Sequence, residues 1–190
     1  NGGHAIIAYP GSLLGIEYAH EAMAHPLVGA FFDKVERDEV LPVVPDVPGT
    51  STGDYLNLIR DRFANPRIED TTHRLCFDGS NRQPKFFVPS VRDNLAQGGP
   101  VAGLALASAL WCRYCMGHDE AGQPIPPNDP GWDDLPARAN RAREDPAAWL
   151  AMGEVYGDVA EAARFRSAFA DALEQLMTKG TAETLQIYLS

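Results

Sequence analysis

The apolar stretch from Val101 to Met116, set off by Gly99-Pro100, is long enough for a helix that is covered on every side. A chain built around such a helix must wrap it with other amphipathic segments. Helical spacing recurs on both sides of it. Leu27, Val28, Phe31, Phe32 and Val35 lie at helical intervals before the proline-rich loop Pro42 to Pro48. Ser51-Thr-Gly-Asp54 resembles a capping box opening the run Tyr55 to Phe63, and Ser90-Val-Arg-Asp93 repeats the pattern. Asn65 is placed to cap and Pro66 to start a helix whose face carries Ile68, Thr72, Leu75 and Cys76 up to the turn Asp78 to Asn81. From His4 to His25 the spacing also suits helix, with Pro10-Gly11 predicted to split it in two. Residues 117 to 136, with Gly and five prolines, read as an exposed loop, after which Asp145-Pro146 caps a return to helix. Asp158 to Lys179 and Thr181 to Leu189 end the chain as helices divided at Gly180. Strand signals are thin: Phe86 to Val88 and Val43-Val44 are short and fenced by proline. A mainly α, multi-helical fold in one domain, residues 1–190, is expected.

Charge narrows the partners. With 26 acidic against 16 basic residues the net charge is −10, which repels phosphate backbones and anionic headgroups, so neither nucleic acid nor a membrane surface is expected. No apolar run reaches the roughly 20 residues of a membrane-spanning helix, and a cytoplasmic location is the default. Three cysteines do not make a secreted disulfide framework. Asn1 is not an initiator methionine and runs through Gly-Gly-His into Ala5 to Ala8, so the domain is expected to begin inside a larger protein.

Two lookalike motifs are set aside. His20 and His25 are five apart, about 140° around a helix, where a zinc-protease pair sits four apart and about 40° apart. They read as exposed histidines at helix ends. Cys112-Arg-Tyr-Cys115 has redox or metal spacing but lies late in the apolar helix, where buried structural thiols are the simpler reading. No metal site is expected. Glycine-rich phosphate loops and a Gly-x-Ser-x-Gly nucleophile turn are both absent from the sequence.

Asn1 and His4, three apart, would project from one helix face, about 60° apart, and both can donate a hydrogen bond to a single oxygen. Alone, the pair reads more simply as a helix start with an incidental histidine. A second segment adds Asn65-Pro66, Asp70-Thr71, Arg74-Leu75, Asp78-Gly79-Ser80, Arg82 and Pro84-Lys85. In this order the two segments resemble the signatures of the long-chain mannitol dehydrogenases, with Asn1 to His4 similar to the end of a Lys-x-x-x-x-Asn-x-x-His motif.

The resemblance implies a two-domain, NAD-dependent oxidoreductase. An amino-terminal Rossmann domain, absent from this chain, would hold most of the cofactor. A helical carboxy-terminal domain, similar in fold to that of 6-phosphogluconate dehydrogenase, would supply most of the substrate site. No zinc is implied. The general base would be a lysine five residues before Asn1, with Asn1 and His4 polarising the reacting oxygen and Arg74 and Arg82 contacting substrate hydroxyls. Some relatives carry lysine where Arg82 stands. Asp70 and Arg74, four apart, are also open to the reading of a helix-surface ion pair, and Asp78 is expected to hold its turn. The implied reaction interconverts a polyol and a ketose, foremost D-mannitol and D-fructose. The alternatives are a fructuronate reductase type of sugar-acid enzyme and a non-catalytic binding module with the same fold.

Overall fold

The computed structural model describes residues 2–45, 48–49 and 51–190. Among them the regular elements are helical, and β pairing is limited to two isolated bridges, Tyr18 with Thr71 and His118 with Pro124. The central element is α8 (Ala102–Tyr114), within which Gly103 to Cys112 and Tyr114 are buried. Helix α12 (Ala163–Lys179) lies along α8, while α1 (Gly2–Leu13) crosses it from the other side and also meets α3 (Pro26–Val35). Helix α13 (Thr181–Leu189) closes over α3. Trp111 of α8 packs edge-on against Trp149 at a centroid distance of 4.7 Å, and the Trp149 indole donates to the Tyr156 hydroxyl at 2.9 Å. Each such buried apolar side chain stabilises the fold by about 1.5–3 kcal/mol.

One carboxylate ties this packing together. Helix α3 runs into a π-helical turn, Glu36–Val40, whose Glu39 is 1% exposed. Glu39 accepts hydrogen bonds from the amides of Gly103 and Leu104, at 2.6 and 2.8 Å, and from the Tyr188 hydroxyl at 3.3 Å. It thereby caps α8 from another element, satisfying amides that have no partner inside the helix. The approach requires glycine at 103, because a Cβ there would collide with Glu39, Val35 and Tyr188. Burial pushes the Glu39 carboxyl up, while the two amides and the tyrosine pull it back down.

Several local expectations are corrected. Pro10 does not split α1; the helix continues past it to Leu13 and ends at Gly15, φ 73°, where the Ile16 amide bonds the Gly11 carbonyl at 2.9 Å. Burial of Ile6, Ile7, Tyr9, Pro10 and Leu13 outweighs the missing amide. Helix α2 (Ala19–Ala24) follows, and α4 (Thr52–Phe63) starts as expected, with Ser51 accepting from the Asp54 amide. Pro66 does not start a helix. Residues 70–72 instead pair with the α1–α2 connection, Ala19 N–H to Asp70 and Thr72 N–H to Glu17, so α5 (Thr72–Leu75) begins only after Thr71 caps it.

Helix α6 (Gly79–Arg82) leads into a second π-helical turn, Gln83–Phe87, which continues directly as α7 (Val88–Gln97). Ser90 therefore lies inside α7 and caps nothing, and Phe86 to Val88 are helical. Helices α9 (Leu135–Ala142), α10 (Ala147–Leu150) and α11 (Gly153–Tyr156) line one end of α8 and α12. Asp145 accepts from the Ala147 amide at 3.1 Å, and the long helix expected from Asp158 begins at Ala163, after a 3-10 turn. The loop between α8 and α9 is only partly exposed: Ile125 and Asp129 are buried. His20 and His25 are half-buried rather than exposed.

Replacing Glu39 with alanine should lower the unfolding free energy by about 2–4 kcal/mol, because it leaves two helix-start amides without a charged acceptor. Denaturant titration measures the loss; a change below about 1 kcal/mol would show that the start of α8 does not need this carboxylate.

Candidate functional site

The predicted site residues fall on three elements. Asn1 lies outside the described residues. His4, in the first turn of α1, is half-buried with its ring 4.4 Å from that of Phe63, at 52°. Burial drives its imidazole down, to about 4, aided first by the positive charge of the chain's amino group and then by the guanidinium groups of Arg82 and Arg74, and opposed by Asp70. At neutral pH His4 is therefore an uncharged ring able to donate one hydrogen bond.

Arg74 closes α5. Its Nε and Nη2 grip both carboxylate oxygens of Asp70, which holds the Asp70 carboxyl below its ordinary range. The ion-pair reading is thus realised, but not on a helix surface, because Asp70 precedes the cap Thr71 and is fixed by its backbone bond to Ala19. The Asp70 side chain is 14% exposed and that of Arg74 68%, so the carboxylate anchors an arginine that reaches outward. Arg82, half-buried at the end of α6, donates from Nη1 to the Leu75 carbonyl at 2.6 Å. That bond ties the two arginine-bearing turns to each other. Between them Asp78 adopts a left-handed conformation, φ 66°, and donates its amide to the Asn128 carbonyl. Gly79 sits so close to Trp111 and Tyr9 that a Cβ would collide with both.

His4 also stands on the wall of a cleft of about 570 Å³ between α1, α4 and both π-helical turns, with Glu36 from one turn and Lys85 from the other. Burial pushes the Glu36 carboxyl up to about 7. Neither Arg74 nor Arg82 lines this cleft, which holds His4 without the two arginines. Phe63, which backs the imidazole, and Glu36 carried no signal in the sequence beyond helical spacing. Among the described residues no group of three or more His, Cys, Asp and Glu is arranged to hold a metal ion. Cys76, Cys112 and Cys115 are buried and unpaired with one another, and burial pushes all three thiols up. Among the described residues no helix is long and apolar enough to cross a membrane.

A profile described as the mannitol dehydrogenase C-terminal domain matches residues 1–177. The chain belongs to that family. It is 58% identical over 190 residues to a mannitol 2-dehydrogenase of Cereibacter sphaeroides, covering all of this chain and 40% of the relative. With a mannitol 2-dehydrogenase of Pyrenophora tritici-repentis it shares 36% over 189 residues, covering 99% of this chain and 33% of the relative. The structure of Pseudomonas fluorescens mannitol 2-dehydrogenase, a ternary complex with NAD and D-mannitol, superposes with a TM-score of 0.95 at 32% identity, over all of this chain and 39% of that one. A substrate-free D-sorbitol dehydrogenase shares the fold, with a TM-score of 0.87 at 20% identity, over 97% of this chain and 38% of that one. The chain thus spans about two fifths of the length of these relatives. The mainly helical fold is what the family resemblance implied.

Because the folded-state value for His4 lies below its ordinary 6.5, the native state loses stability as pH falls from about 6.5 through about 4, where the unfolded chain takes up the proton first. His4→Gln should narrow the stability gap between pH 7 and pH 4.5, and nuclear magnetic resonance should show the His4 ring still neutral at pH 5.5. A ring half-protonated near 6.5 would contradict the assigned burial.

Proposed function

We propose that this chain is the substrate-binding half of an NAD-dependent dehydrogenase that interconverts D-mannitol and D-fructose by hydride transfer at a secondary alcohol. The reading is carried by a neutral His4 on α1 and two anchored arginines on α5 and α6, on the segments whose motifs resemble the family signature. Similarity over the whole chain to mannitol 2-dehydrogenases, one of them solved with NAD and D-mannitol, supports it.

His4 and Asn1 donate hydrogen bonds to the carbinol oxygen as it loses its proton. A donor aimed at that oxygen in a water-poor site lowers the barrier more than it improves binding. A lysine five residues before Asn1 would lie two turns upstream of His4 and about 80° around an extended α1, so that base and donors converge on one alcohol. Arg74 and Arg82 hold other hydroxyls of the polyol. A guanidinium forks onto neighbouring oxygens, and prior anchoring by Asp70 and by the Leu75 carbonyl reduces the entropy lost on binding. NAD, when bound, accepts the hydride. The described residues contain no glycine-rich phosphate cradle, and the dinucleotide is assigned mainly to an upstream Rossmann domain.

In the full-length protein, His4→Ala should reduce kcat about 10²–10³-fold with a smaller change in the KM for mannitol. Arg74→Ala and Arg82→Ala should each raise that KM about tenfold or more, as loss of a charge-assisted hydrogen bond does. Reduced-cofactor oxidation should run faster with fructose than with fructuronate. Faster turnover of fructuronate would assign the basic pair to a sugar-acid carboxylate instead, and no turnover of either would favour a binding module.

A further inference from the structure

The two arginines do not hold their own positions. The segment carrying them, α5, the turn at Asp78 and α6, is attached at three points to a single dipeptide, Asn128-Asp129, in the loop between α8 and α9. The Asn128 side-chain amide donates to the His73 carbonyl at 2.7 Å, next to Arg74. The Asn128 carbonyl accepts the Asp78 amide at 3.2 Å. The Asp129 carboxylate, 9% exposed, accepts the Ser80 amide at 2.8 Å and the Ser80 hydroxyl at 2.6 Å, two residues before Arg82, and also the amide of Gly131 at 2.9 Å.

From below, the same turn rests on Trp111 and Tyr9 through Gly79, where no side chain fits. It is therefore gripped between the core and the loop. The loop is itself fixed: Arg113 donates to the His118 carbonyl at 2.6 Å, and Glu120 accepts from the Thr181 hydroxyl at 2.6 Å. A charged carboxylate satisfied by three donors is costly to leave half-paired, so Asp129 has one low-energy seat, and that seat sets where α6 begins. Arg82 lies one turn further along α6, and its bond to the Leu75 carbonyl transmits the setting to α5 and Arg74.

We infer that Asp129, with Asn128, is a positioning residue for polyol recognition: it fixes the spacing and direction of Arg74 and Arg82 without touching substrate. This rests on the proposed polyol site. Sub-ångström placement of a polar clamp governs how well it engages several hydroxyls at once, so loosening the clamp should weaken polyol capture before it weakens the fold.

The test is steady-state kinetics of the full-length enzyme carrying Asp129→Asn, Ser80→Ala, Arg82→Ala and the double variant Asp129→Asn with Arg82→Ala. Asp129→Asn should raise the KM for mannitol about tenfold, and Ser80→Ala, which removes only the hydroxyl bond, about two- to threefold, with the KM for NAD within about twofold of the parent. In the Arg82→Ala background, Asp129→Asn should change the mannitol KM less than about twofold, because its effect passes through Arg82. A purely structural role would leave the Asp129→Asn effect undiminished in that background, or would lower the thermal midpoint with the mannitol KM unchanged; either result overturns the inference. Should Asp129→Asn fail to fold, Ser80→Ala decides, and an unaltered mannitol KM in that variant also overturns it. A parent enzyme without polyol turnover overturns the functional reading, and this inference with it.

Discussion

The buried carboxylate of Glu39 against the first amides of α8 is the contact on which the rest depends. A helix apolar on all sides has its unpaired amides where water does not reach, and they need an acceptor from elsewhere in the chain. Glu39 supplies it from the end of α3, and Tyr188 completes the same acceptor from α13. One group thus fixes the mutual seating of three helices, and α1, packed on α3 and α8, inherits that placement together with His4.

A strongly acidic chain keeps a locally positive site. Asp70, whose charge is spent on Arg74, is the carboxylate that acts on His4, while Arg82 and Arg74 both favour the neutral ring. The overall charge of −10 is consequently no guide to the chemistry around His4. What matters there is which charges are already committed: an arginine held by a carboxylate offers direction, and one held by a backbone carbonyl, as Arg82 is, keeps its full charge for a ligand.

Apolar spacing made α3 and α8 legible because most of their apolar side chains are buried, and Gly180 marked the break before α13 since its φ of 81° suits glycine. Local rules failed where a distant segment competed. Pro10 stays helical because its neighbours are buried on all sides. Pro66 does not start a helix because residues 70–72 find backbone partners in the connection after α1, and Ser90 caps nothing because the chain is already helical before it. Glu39 and Asp129 went unread for the same reason: their partners, Gly103 and Ser80, are far away in sequence. Of the site, the residue types and the pairing of Asp70 with Arg74 were readable from motifs and spacing, whereas the grip of Asn128-Asp129 on the turn exists only in three dimensions.

The two π-helical turns, Glu36–Val40 and Gln83–Phe87, make chain length as informative here as residue identity. A π turn accommodates one residue more than an α turn, and losing that residue rotates everything downstream by about 100°. Deleting Arg37 or Asp38 would give a more regular helix and swing Glu39 away from α8, although every side chain of the cap would still be encoded. Substitutions at positions outside the cap can be absorbed in these stretches, whereas a single-residue insertion or deletion shifts the register of all that follows.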